Sequence, residues 1–213
     1  MRFLITGCGR SGTMFLAQAL ARSRKMIVRH EHADDGRGWL DDYTTYDRQA
    51  HMKLVAHRFA CHDNYGEVNS FLRFLADDLK VDHKAVLLRH PAQLALSAIN
   101  KRPLRWFGAT PGFAARACML RDDLKAIDRL IRRGLPFFRF EQFTTSPDEL
   151  AKIFSWPLID DVDGRDVRLD RTANAGNRDV VSSLSDLTIC DRRKLHNCVA
   201  WFVDRYYEGK WDQ

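Results

Sequence analysis

No run of apolar residues in this chain approaches the ~18 that a membrane span needs. The start, Met1-Arg2-Phe3-Leu4-Ile5-Thr6-Gly7, holds no secretory h-region or cleavage site, so the expected location is cytoplasmic. Cysteine is sparse and unpatterned: Cys8, Cys61, Cys118, Cys190 and Cys198 are odd in number, widely spaced and in no CxxC pair. That argues against a disulfide framework and against a zinc site. His30-x-His32 with Asp34 and Asp35 matches no standard ligand spacing and reads as a solvated polar loop. There is no Lys/Arg run of the tail type, no single-strand stacking motif, no repeat and no long linker. Nucleic acid is therefore not the expected partner.

What is there describes an ordinary globular protein. The 213 residues are 45% hydrophobic and 29% charged, enough for one large domain with a substantial core. A net charge of +6 and a pI near 9.2 favour an anionic ligand. Short apolar runs predict strands over 3–6, 26–30, 54–59, 85–89 and 136–140. Helical periodicity covers 13–22, 65–79, 92–100, 113–133 and 191–206. Strands separated by helices imply parallel pairing with right-handed crossovers, hence a three-layer α/β sandwich around a mostly parallel sheet. Ligands of such sheets bind outside the carboxyl ends of the strands. That edge would gather residues 7–13, 30–32, Arg89, His90 and Glu141. The irregular stretches 33–53 and 156–190 are candidate lids or acceptor-side loops.

Two segments carry the chemistry. The first, Gly7-Cys8-Gly9-Arg10-Ser11-Gly12-Thr13-Met14, follows the first strand and opens a helix. Glycines allow a tight turn and close approach of a ligand, while backbone N–H groups and the helix N-terminus favour negative charge. The segment satisfies G-x-G-x-x-G at Gly7, Gly9 and Gly12, and it misses the triphosphatase loop because Thr13 stands where a Lys is required. The second is a buried strand ending in Arg89-His90-Pro91, with Ser97 about two turns into the next helix. A triphosphatase would typically end that strand in a magnesium-holding Asp; here it ends in a cation. Arg89 and Ser97 can converge on a phosphate, or Arg89 can simply pair with a neighbouring carboxylate.

Together these segments resemble the PAPS-dependent sulfotransferases, whose donor is 3′-phosphoadenosine 5′-phosphosulfate and whose fold is P-loop-like. Arg10, Ser11, Gly12 and Thr13 match the loop that holds the 5′-phosphosulfate, with Gly9 before it and Met14 after it. Arg89, Pro91 and Ser97 match the motif that holds the 3′-phosphate. Weaker likenesses lie at 65–70, which looks like a family helix start, and at Phe138-Arg139-Phe140-Glu141, which resembles a strand ending in an aromatic-Glu pair. Thr172-Ala173-Asn174-Ala175 is similar to a late loop that closes over the nucleotide, with Arg178 as a helper. The resemblance implies in-line sulfuryl transfer without a metal, with PAP as the product. The acceptor would be a small molecule, carbohydrate or lipid bearing a hydroxyl or amine. It also points to Glu31 as the base, with His30 second. The alternative for Glu31 is an ion pair with Arg10 or Arg29 that only orders the site.

An NAD(P)-dependent oxidoreductase competes. The G-x-G-x-x-G follows a strand and opens a helix, and Glu31 lies near the place of a ribose-binding acid, about 20 residues on. Against it, the chain has no Tyr-x-x-x-Lys pair, and this reading leaves Arg89 and Ser97 unexplained.

Overall fold

Phe3-Leu4-Ile5 is apolar on both sides because its strand is the middle one of a sheet covered on both faces. The computed structural model describes residues 1–22, 25–31, 48–100, 113–145 and 183–211. Five strands, Arg2–Gly7 (β1), Ile27–Arg29 (β2), Tyr65–Val68 (β3), His83–Leu88 (β4) and Phe137–Arg139 (β5), form one sheet in the order β2-β3-β1-β4-β5. Every pairing is parallel, with Ile5 opposite both Val68 and Ala85. Successive strand residues feed opposite faces. Phe3, Ile5, Ala85 and Leu87 pack with Leu16 and Leu20 of helix α1 (Thr13–Leu20). Leu4, Val86 and Leu88 pack with Leu124 and Ile127 of α4 (Phe113–Arg132) and with Val199 and Phe202 of α6 (Ile189–Tyr206). Each of the Leu, Ile, Val and Phe side chains contributes about 1.5–3 kcal/mol on burial, which holds the helices on the sheet. The expected α/β three-layer arrangement is thus present.

One exchange of elements departs from the sequence reading. The 54–59 run is not a strand; it lies inside helix α2 (Arg48–Cys61), where Val55 and Phe59, one turn apart, are both buried. The 65–79 stretch is not a helix, nor is 65–70 a helix start. It is β3 followed by a 3-10 turn, Ser70–Phe74, capped by the Asn69 side chain, which accepts from the Phe71 amide. The reason is packing. Gly66 pairs with Phe3, and a Cβ on Gly66 would lie 2.2 Å from that ring, so a residue poor in strand propensity is the one that fits. Short apolar runs do not separate strand from buried helix by periodicity alone.

The other elements are close to expectation: α3 (Pro91–Asn100) follows β4, and α5 (Phe140–Thr145) takes over where β5 ends. Of the candidate lids, residues 48–53 open α2, and 183–190 form the 3-10 turn Leu184–Asp186 and the start of α6. Thr188 caps α6 by accepting from the Asp191 amide at 3.1 Å. The remaining parts, 33–47 and 156–182, lie outside the described residues. Among the described residues no helix is long and apolar enough to cross a membrane.

Candidate functional site

Because all five strands run the same way, their carboxyl ends deliver five connections to one edge, and both sequence motifs sit there. β1 ends at Gly7. Cys8 is buried, and burial pushes its thiol well above the ordinary range, so it is an inert packing group and not a nucleophile. The Ser11 amide donates to the Cys8 carbonyl at 3.1 Å and closes the turn, with Gly9 inside it. Arg10 and Gly12 are left-handed, at φ 72° and 96°. An ideal Cβ on Gly12 would sit 2.2 Å from the Phe140 ring, so the loop needs glycine there for both reasons. Gly12 is the N-cap of α1 and has no side chain with which to cap the helix. The Ser11 side-chain oxygen is fully buried and has no hydrogen-bond partner among the described residues.

The second motif reaches across from the neighbouring strand. Arg89 Nη1 donates to the Arg10 carbonyl at 2.9 Å, and Arg10 Nε donates to Ser97 Oγ at 3.1 Å. The Arg89 guanidinium also lies 5.0 Å from the centre of the Phe140 ring. So the carboxylate pairing considered for Arg89 is not what holds its Nη1; a backbone carbonyl is. Burial lowers the pKa of both guanidiniums, and for Arg10 repulsion from Arg89 lowers it further while Glu31 partly offsets this. Two half-buried, mutually repelling cations form a place where an anion is favoured.

Glu31 follows β2, and at φ 46° it too is left-handed. Its Oε1 accepts from the Ser70 amide at 2.7 Å and from Ser70 Oγ at 2.5 Å. His30 Nε2 stands 3.6 Å from the same oxygen and 3.1 Å from Thr13 Oγ1, so the ring bridges the glycine loop and the carboxylate. The ion pair considered between Glu31 and Arg10 or Arg29 is therefore replaced by a hold on Ser70. Non-glycine residues in this conformation cost of order 1–3 kcal/mol, and both Arg10 and Glu31 belong to the site.

A buried polar network holds the strand end that leads into Ser70. Glu67, fully buried, accepts from Tyr65 at 2.6 Å and Asn69 at 2.9 Å, with Arg58 Nη1 3.6 Å away. Burial raises the carboxyl of Glu67 and the phenol of Tyr65. His51 meets Asn69 at 3.1 Å, and burial drives its pKa down to about 4.

The structure thus brings together Arg10, Ser11, Gly12, Thr13, His30, Glu31, Arg89 and Ser97, with Met14 on the first turn of α1. Asn174, Arg178, His32, Asp34 and Asp35 lie outside the described residues. Glu141 reaches the edge as expected, its Oε1 accepting the His90 amide at 2.7 Å. Sequence reasoning missed Ser70 as the partner of Glu31, because reading 65–79 as a helix hid the strand end that places it. Comparison with protein-family models, with curated proteins and with solved structures finds no match to this chain. The class that the fold itself defines is an α/β protein with an all-parallel five-stranded sheet.

Proposed function

We propose that this chain is a sulfotransferase, moving a sulfuryl group from PAPS to a hydroxyl or amine acceptor by metal-independent in-line displacement. The observation that carries the reading is the convergence of Arg10, Arg89 and Ser97 beside the glycine turn that opens α1 and a buried Ser11 hydroxyl with no hydrogen-bond partner among the described residues. A donor with phosphates at both ends of its ribose needs cationic and N–H partners at two places, and the two motifs offer them. Arg10, Ser11, Thr13 and the loop amides would take the 5′-phosphosulfate; Arg89 and Ser97 would take the 3′-phosphate. In the transfer, the acceptor oxygen or nitrogen bonds to sulfur as the bond from sulfur to the bridging oxygen breaks. The electron pair stays on the 5′-phosphate of PAP, where Arg10 stabilises it. Glu31 takes the acceptor proton, and since Oε1 already carries two Ser70 bonds, Oε2 is the accepting atom. His30, whose Nε2 is hydrogen-bonded to the Thr13 hydroxyl, serves orientation better than proton removal.

Strand order counts against the oxidoreductase. In the dinucleotide-binding arrangement the acid-bearing second strand lies beside the first. Here β3 separates β1 from β2, and Glu31 is engaged by Ser70. Isothermal titration with PAP and with NAD in EDTA tests the assignment. PAP binding without NAD binding supports it; NAD binding alone means that the loop serves a dinucleotide. Glu31→Gln is expected to keep PAP affinity while turnover falls about 10²-fold or more in an acceptor screen. Unchanged turnover eliminates Glu31 as the base.

A further inference from the structure

His90 is fully buried and uses its backbone N–H and both ring nitrogens. Its N–H goes to Glu141, Nδ1 accepts from the Ala92 amide at 3.2 Å and caps α3, and Nε2 donates to the Lys210 carbonyl at 2.9 Å. The acceptor role of Nδ1 requires the neutral ring with its proton on Nε2. Lys210 belongs to a tight turn after α6. There Glu208 and Gly209 are left-handed at φ 54° and 70°, Gly209 N–H returns to the Val203 carbonyl, and Lys210 N–H returns to that of Tyr207. Tyr207 sets its ring edge against His90 at 4.8 Å and lies 5.0 Å from the Arg139 guanidinium. Trp211 closes the other side, 6.2 Å from His90 and stacked on His196 at 4.8 Å. Among the described residues the non-glycine left-handed positions are Arg10, Glu31 and Glu208: two in the site, one in this turn. A backbone held in that conformation persists only where surrounding contacts over-determine it.

We propose that the turn spanning Tyr207 to Trp211 is a strap that positions Arg89 through His90, and that it sets the preference for 3′,5′-bisphosphorylated nucleotides over 5′-monophosphates. This rests on the reading of Arg89 as the cation for the 3′-phosphate. Arg89 leaves β4 immediately before His90, so its aim depends on where the His90 backbone is pinned. Without the strap, His90 keeps Glu141 and the α3 cap but loses the clasp that fixes the ring. His90 is a positioning residue and touches no reacting atom.

Three variants separate the parts: a chain ending at Glu208, His90→Asn, which keeps an acceptor for the Ala92 amide, and His90→Gln, which keeps a donor for the Lys210 carbonyl. PAP and AMP affinities are measured by titration, with hydrogen exchange over 89–94. The shortened chain and His90→Asn should lose about tenfold or more of the preference for PAP, with AMP binding nearly unchanged, while His90→Gln keeps the preference and only melts earlier. A preference that survives in both the shortened chain and His90→Asn overturns the strap. So does parallel weakening of PAP and AMP, the signature of a general loss of structure. If the unaltered chain binds neither nucleotide, the donor reading fails, and exchange still decides the strap. Faster exchange at 89–94 than at 13–20 in the shortened chain supports it; unchanged protection overturns it.

Discussion

After β1 the chain enters α1 through Gly12, which supplies no cap, beside a buried Ser11 hydroxyl that nothing among the described residues satisfies. After β4 it enters α3 through His90, whose ring caps the helix, and Pro91, whose missing N–H removes one orphan donor. Both are strand-to-helix turns at the same edge of the same sheet. One has no side-chain cap at its glycine N-cap and keeps a buried hydroxyl without a partner among the described residues, at a helix start whose dipole favours an anion. The other satisfies its helix internally and presents a side chain, Arg89, as the binding group. A helix start at a sheet edge is thus not by itself a binding site; what distinguishes the two is which polar groups the fold leaves unsatisfied.

The largest test of this contrast is Arg89→Ala. It should weaken PAP about 10- to 100-fold while leaving adenosine 5′-phosphosulfate within a few-fold, because a charge-assisted hydrogen bond is worth about 1.5–3 kcal/mol and only the bisphosphate meets Arg89. Equal loss for both nucleotides in titration would remove Arg89 from the 3′ end.

Acid should separate the two turns next. Burial depresses the pKa of His90, and that of His51 falls from 6.5 to about 4. For a histidine depressed in the folded state, the unfolded chain binds more protons across that window. Stability is therefore full above pH 6.5 and falls as the pH drops toward 4, on the order of 3 kcal/mol for His51 at about 1.4 kcal/mol per unit. Urea melts at pH 7 and pH 4.5 read the total. Protonating His90 also removes the α3 cap, so protection against exchange at 92–94, corrected for the intrinsic rate at each pH, should fall at low pH while that at 13–16 is spared. Equal response at both helix starts would contradict the assignment of the cap.

The smallest effect has an unusual sign. Ser11→Ala removes a buried hydroxyl that lacks a partner, so the free protein should be unchanged or more stable, by up to about 1 kcal/mol, while PAP binding weakens severalfold. A variant that melts earlier without losing affinity would show that Ser11 is structural.

Legibility in the sequence followed interaction range. The glycine loop, Arg89 with Ser97, and the helices 113–133 and 191–206 were readable because local turn chemistry or a long period specifies them. The third strand was not. Gly66 and buried Glu67 look wrong for a strand until Phe3 and the partners Tyr65, Asn69 and Arg58 are in place. The misreading of that strand also concealed Ser70. His90 was visible as part of a turn, but its tie to Lys210, far along the chain, carries no local signal.

The sequence by itself determined an α/β chain with an anion-favouring loop after its first strand and a cation ending a later buried strand, because periodicity, glycine spacing and residue charge are properties of neighbours. Only the tertiary structure decided that β3 lies between β1 and β2, that Glu31 is held by Ser70, and that Arg10, Arg89 and Ser97 meet. Those outcomes depend on strand pairing and on which buried polar groups find partners, and both are settled by contacts between residues distant in the chain.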